Sequence, residues 1–188
     1  VNAGWQPMLN GNLSDKMLQF NRANFLAPKW KGDTRFDDLT WSMAIEYIKT
    51  NQPKITFISL DDTDYWAHKS NYEKYLESLF QLDSYLKELF DLIETNNFYK
   101  NKTYVLVTTD HGRGQNSSNW NKHGILPLRS GDIWFYEYGP TLIPEGEIKK
   151  NQTQYLATIS NKIREIANNS IQDVIPSFYV HNLDTIPR

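Results

Sequence analysis

Apolar residues along this chain form short continuous runs and longer stretches that repeat every three or four positions. Val105 to Val107 is a β-branched run of the kind that forms a buried strand in a mostly parallel sheet, and residues 55–60 form a second such run. From Tyr72 to about Asn96 the apolar residues recur at steps of three and four, which predicts a long one-sided helix. The stripe consists of Tyr72, Leu76, Leu79, Leu82, Leu86, Leu89, Phe90 and Ile93.

The same pattern predicts further elements on both sides of this core. A helix should begin at Asp37 and Asp38 and end near residue 53, residues 133–138 read as a third strand, and residues 153–168 read as a final helix. The first helix is expected to bury Met43, Ala44, Tyr47 and Ile48. Residues 1–36 lack periodicity and are predicted to be irregular, and a short edge strand is expected after residue 169. Alternating helices and strands predict an α/β fold, with a mixed, mostly parallel sheet flanked by helices.

Composition narrows the class of protein. The 188 residues are 39% hydrophobic and 14% aromatic, which indicates a folded chain, and the absence of a repeat or linker favours a single domain over residues 1–188. Twenty basic and 22 acidic residues leave a net charge of −2, so no nucleic acid partner is expected. No apolar run is long enough to span a membrane. Without cysteine, only histidine and carboxylate side chains remain as metal ligands.

Candidate metal ligands follow the predicted strands. Asp64 and His68 come after the apolar run at residues 55–60, and Asp110 and His111 follow the run at residues 105–107. His123 lies in the next loop. The carboxyl ends of parallel strands meet at one edge of the sheet, so these side chains are expected to converge. Carboxylate oxygen with imidazole nitrogen suits Zn²⁺, and also Mn²⁺ or Fe²⁺. Two such ions clamp the attacking and leaving oxygens of a displacement at phosphorus.

Each cluster also has an ordinary interpretation. A lone Asp-x-x-x-His is a weak pattern, whereas Thr-Thr-Asp-His-Gly after a strand is stronger, and the combination favours a metal site over polar loops. His181 lies in a polar tail and is interpreted as a surface residue. Asp61 and Asp62, directly after the predicted strand at residues 55–60, are interpreted as solvated or structural groups and not as additional ligands.

These motifs resemble the alkaline phosphatase superfamily, which includes phosphodiesterases, cofactor-independent phosphoglycerate mutases and sulfatases. The matching segments are Asp-Tyr-Trp-Ala-His, Asp-His-Gly-Arg-Gly and the later His-Gly. The resemblance implies that Asp64, His68 and His123 hold one divalent ion and that Asp110 and His111 hold another. Zinc is the expected metal, with manganese as the alternative.

The resemblance covers roughly residues 37–168 and leaves part of the family pattern unmatched. It implies a Ser or Thr nucleophile and one further Asp ligand, both N-terminal to the matched region. Ser14 and Thr34 are loop hydroxyls without the strand-to-helix context of an activated nucleophile. The chain is therefore interpreted as the C-terminal portion of a larger catalytic domain, inactive by itself, with its nucleophile elsewhere.

The function implied by the resemblance is metal-dependent hydrolysis of a small phosphate ester. Arg113 is a candidate contact for the anionic substrate, although a charge in a loop is more often simply solvated. The alternatives are a sulfatase-type ester hydrolase and a non-catalytic metal-binding domain of the same fold. Five Asn-x-Ser/Thr sequons weakly favour a periplasmic or secreted location. The sequons begin at Asn12, Asn101, Asn116, Asn151 and Asn168. The oligomeric state is left open.

Overall fold

The computed structural model describes residues 13–27, 35–127, 129–144, 146–147 and 156–171. The chain divides into two compact units, Val1–Pro140 and Thr141–Arg188. The first unit contains four of the helices and both strands of the described part of the chain, and with them all the predicted metal ligands. The second unit contains one described helix.

The first described element is a helix that the sequence pattern missed. Helix α1 (Asp15–Leu26) lies within the region predicted to be irregular, and that prediction is wrong here. Ser14 caps the helix: its Oγ accepts a hydrogen bond from the Met17 N–H at 3.2 Å and donates one to Glu46 Oε1 at 2.9 Å. Periodicity could not reveal α1 because it carries no broad apolar stripe.

Helix α2 (Asp37–Asn51) starts where the sequence predicted, and the residue that caps its C-terminus, Gln52, adopts the left-handed conformation. Its buried side differs from the predicted one. Met43 and Ile48 are buried as expected, but Ala44 and Tyr47 are only half-buried. The other buried apolar side chains of α2 are Trp41 and Ile45.

A short helix, α3 (Asp62–His68), replaces the predicted loop after residue 60. The long helix α4 (Tyr72–Thr95) is confirmed, and its N-cap is Asn71, whose side chain accepts a hydrogen bond from the Lys74 N–H at 3.0 Å. The core lies between α2 and α4. There the ring of Trp41 stacks on that of Tyr85 with centroids 4.8 Å apart.

The described sheet has two strands, β1 (Val105–Thr108) and β2 (Phe135–Tyr138), which confirm two of the three predicted strands. They pair antiparallel, with Val105 opposite Tyr138 and Thr108 opposite Phe135. The mostly parallel sheet expected from the sequence is therefore not what the described residues form. The α/β class itself is retained, because helices pack beside this sheet.

Residues 55–60 were predicted to be a buried strand, and this prediction is wrong for the described structure. The segment has no strand assignment, and the side chains of Ile55 and Phe57 are 76% and 89% exposed. Ile58 and Leu60 nevertheless pack against the core. A strand needs a neighbour for its backbone N–H and C=O groups, and no described segment pairs with this one.

The described helix of the second unit is α5 (Leu156–Ile171), which confirms the final predicted helix with a shift of three residues. The edge strand predicted after residue 169 lies almost entirely outside the described residues. None of the described helices is long and apolar enough to cross a membrane.

Candidate metal centre

Helix α3 supplies two of the predicted ligands. Asp64 and His68 are four residues apart and therefore lie on the same helix face, one turn from each other. His68 Nε2 is 3.2 Å from Asp64 Oδ2. The Tyr65 N–H donates to the Asp61 carbonyl at 2.9 Å, which closes the first turn of the helix. The Asp-x-x-x-His spacing in the sequence thus places both predicted ligands on one face of α3.

His111 follows β1 and points its ring at the same carboxylate. Its Nδ1 lies 2.9 Å from the Gly112 carbonyl oxygen, which can only accept, so Nδ1 carries the proton. In the neutral ring Nε2 then keeps its lone pair, and this atom lies 3.4 Å from Asp64 Oδ1. The Gly112 N–H donates to the Ser130 carbonyl at 2.7 Å and holds the turn in place.

His123 completes the cluster from the loop before β2. Its Nε2 lies 2.8 Å from His68 Nε2 and 3.6 Å from Asp64 Oδ1. Its ring stacks on that of His111, with centroids 3.8 Å apart and planes 14° from parallel. The loop is tied to the end of α3 by Asn121, whose Nδ2 donates to Ser70 Oγ at 2.7 Å. No sequence pattern pointed to this link.

The geometry of Asp64, His68 and His123 fits a small divalent ion. One ligand atom from each residue lies within 4.8 Å of the others. Ligand bonds of about 2.0–2.1 Å around a tetrahedral ion place neighbouring ligand atoms roughly 3.3 Å apart. The Nε2 atoms of His68 and His123 are 2.8 Å apart, and they lie 3.2 and 3.6 Å from two different oxygens of Asp64, Oδ2 and Oδ1 respectively. Two imidazole nitrogens and one carboxylate oxygen form a donor set that zinc accepts, with a fourth position left for a further ligand.

Electrostatics favour the metal-binding form of His123. Burial lowers the pKa of His123 below its ordinary value, and the neighbouring His111 lowers it further, against the opposing effect of Asp64. A metal ion binds the neutral imidazole, so a lowered pKa keeps His123 in its metal-binding form down to a lower pH.

The two remaining predicted site residues, Asp110 and Arg113, differ in how far their side chains are exposed to solvent. The Asp110 side chain is 87% exposed, and its Oδ1 is 3.7 Å from His111 Nε2. Asp110 and His111 are thus neighbours, as a shared ion would require, and their role as ligands stays a prediction. The Arg113 side chain is only 14% exposed, and its Nη2 contacts Asp64 Oδ1. Its Nη1 is buried without a hydrogen-bond partner in the described part of the chain.

Comparison with known proteins places these features in a family. The profile of the Metalloenzyme superfamily matches residues 4–167. The chain belongs to this superfamily. Over 116 residues the chain is also 26% identical to a 2,3-bisphosphoglycerate-independent phosphoglycerate mutase of Ureaplasma urealyticum. That match covers 61% of this chain and 21% of the mutase, so the chain spans about a fifth of the length of this curated relative.

The match to the superfamily confirms the resemblance inferred from the motifs. All five predicted metal ligands, and Arg113, lie inside the matched region. Comparison with the solved structures gave no significant match.

Proposed function

We propose that this chain forms the metal-binding part of a metal-dependent hydrolase of small phosphate esters. Asp64, His68 and His123 hold one zinc ion, and Asp110 with His111 contributes to a second. The observation that carries this proposal is the convergence of the first three ligands, from two separate segments, within 4.8 Å. Membership of the Metalloenzyme superfamily supports it.

The residues of the site have distinct tasks in this proposal. Zinc, when bound, supplies a Lewis acid that polarises a phosphoryl oxygen. Gly112 orients His111 by accepting its Nδ1 proton in a hydrogen bond. Arg113 steadies the carboxylate of Asp64, and its positive charge favours an anionic substrate. The Ser or Thr nucleophile lies outside this chain.

The metal assignment is tested by measuring zinc affinity with a competing chelator. We expect His68→Ala and His123→Ala each to weaken zinc binding by more than about 100-fold, because loss of a direct ligand should exceed the 10–100-fold cost typical of an outer-shell partner. His181→Ala is the control, and its affinity should equal that of the wild type. Unchanged zinc affinity in the first two variants would remove the basis for the proposed site.

The reaction is tested on the longest polypeptide that the gene encodes. Hydrolysis of a chromogenic phosphate monoester that requires zinc supports the proposal. Hydrolysis of the corresponding sulfate ester alone would favour a sulfatase, and interconversion of phosphoglycerates without net hydrolysis would favour a mutase like the Ureaplasma relative. Zinc binding with none of these activities would favour a non-catalytic domain.

A further inference from the structure

Asp37, the first residue of α2, is bonded to the main chain just ahead of the metal ligands. Its side chain is buried, and its two oxygens accept hydrogen bonds from successive backbone N–H groups. Oδ1 accepts from Asp61 at 2.8 Å and Oδ2 accepts from Asp62 at 3.0 Å. In return Asp62 Oδ1 accepts from the Asp37 N–H at 3.4 Å. The Asp37 carboxylate thus binds the two backbone N–H groups at the start of α3, and the Asp62 side chain accepts a third hydrogen bond from the Asp37 backbone.

This position matters because α3 carries Asp64 and His68. The first N–H groups of a helix have no partner within the helix and need one from outside. The Asp61 side chain, at the N-cap, makes no capping hydrogen bond of its own. Residues 55–60, which lead into the helix, are not paired with any described strand. The bonds from Asp37 therefore supply an anchor that neither the cap nor a sheet provides.

We infer that Asp37 is a positioning residue of the metal centre, which fixes the place of the zinc ligands by anchoring the start of α3. This role rests on the proposed function. A seven-residue helix is short enough to move as a rigid body. A shift at Asp62 therefore carries over to Asp64, two residues later, and to His68, one turn beyond that. A misplaced ligand pair binds an ion less tightly, because metal affinity depends on the partners that hold the ligands in their binding orientation.

Asp38 provides a matched control in the same turn of α2. Its Oδ1 accepts a hydrogen bond from the Tyr85 hydroxyl and so connects α2 with α4 instead of α3. Removal of the Asp37 carboxylate costs the fold two tertiary hydrogen bonds at this helix end, and removal of the Asp38 carboxylate costs it one. Only removal of Asp37 releases the helix that bears the ligands.

The test compares zinc affinity in the 188-residue chain for Asp37→Ala, Asp37→Asn, Asp38→Ala and the wild type. We expect Asp37→Ala to weaken zinc binding by about 10–100-fold, the range for partners that orient a ligand. Asp37→Asn keeps one acceptor oxygen and should lose less. Asp38→Ala should bind zinc as the wild type does. Amide hydrogen exchange at Asp61 and Asp62 should accelerate in both Asp37 variants and stay unchanged in Asp38→Ala.

The outcomes separate this role from the proposed function. Wild-type zinc affinity in Asp37→Ala would overturn the positioning role alone, and so would an equal loss in Asp38→Ala. If Asp37→Ala fails to fold, the milder Asp37→Asn decides by the same criteria. Absence of zinc binding by the wild-type chain would overturn the proposed function and this role with it.

Discussion

Gly112 is a point where the fold and the candidate site can be tested together. It lies directly after His111, and its N–H donates to the Ser130 carbonyl at 2.7 Å. A Cβ atom at this position would lie 2.3 Å from the Asp132 carbonyl oxygen and 2.9 Å from that of Arg129. Gly112 is thus required by the close approach of two backbone segments.

The size of the Gly112→Ala effect follows from these distances. Attractive contact with carbon begins at about 3.5 Å, so the two backbone segments must separate by roughly 1 Å. Both contacts are with backbone, which cannot rotate away as a side chain could. We expect a loss of about 1–3 kcal/mol in the free energy of unfolding, the usual cost of overpacking. The shift also displaces the carbonyl that accepts the His111 Nδ1 proton.

Gly131→Ala is the matched control, because it lies in the facing loop and a Cβ there would meet nothing within 4 Å. Its unfolding free energy should be unchanged, or higher by up to about 1 kcal/mol, since alanine restricts the unfolded chain. Urea unfolding of both variants provides the comparison. If Gly112→Ala proved as stable as Gly131→Ala, the close approach of these loops would be refuted.

Two further predictions concern the core and the effect of pH. Ile93→Ala should lower the free energy of unfolding by about 2–5 kcal/mol, because Ile93 is 3% exposed, whereas Phe57→Ala at an exposed site should change it by less than about 0.5 kcal/mol. Equal losses in urea unfolding would contradict this assignment of the core. Folding lowers the pKa of His123, so below about pH 6.5 the unfolded chain binds more protons than the folded chain does. The free energy of unfolding should therefore decrease as the pH falls below about 6.5. His123→Gln should show a weaker acid dependence in a pH series, and an identical dependence would count against the shift.

Periodicity and capping residues in the sequence predicted helices α2 and α4, because these signals lie within the helices themselves. The stripe of α4 was legible because its apolar residues recur over six turns, and the ends of α2 carry acidic and turn-forming residues that mark a start and a stop. Helix α1 was missed because a cap at Ser14 and a contact with Glu46, 32 residues away, do not appear as periodicity. The apolar run of residues 55–60 was legible as well, but a run shows only that a segment suits a sheet. Strand pairing depends on which neighbour is present.

The candidate site was predictable in composition and not in arrangement. Asp64 with His68, and Asp110 with His111, stand out because they follow apolar runs, and His123 stands out because histidine is rare in this chain. The sequence did not show that His111 stacks on His123. The resemblance assigned His111 to a different ion from His68, and that assignment stays a prediction; in the structure both rings approach the carboxylate of Asp64. The stacking joins residues 12 positions apart, and the approach of His111 to Asp64 joins residues 47 positions apart, so neither appears as a local pattern.

The balance of charge at the centre is consistent with the anionic substrate of the proposed function. With the imidazoles neutral, the carboxylate of Asp64 is offset by the guanidinium of Arg113, which contacts it directly. A divalent ion added to this pair leaves an excess of two positive charges, and the exposed carboxylate of Asp110 can cancel only one of them. In the proposed site the remaining positive charge would lie beside the mostly buried guanidinium of Arg113, where it would attract an anion more strongly than in water. The phosphate ester of the proposed function carries such a charge, with acceptor oxygens of the kind that a guanidinium binds.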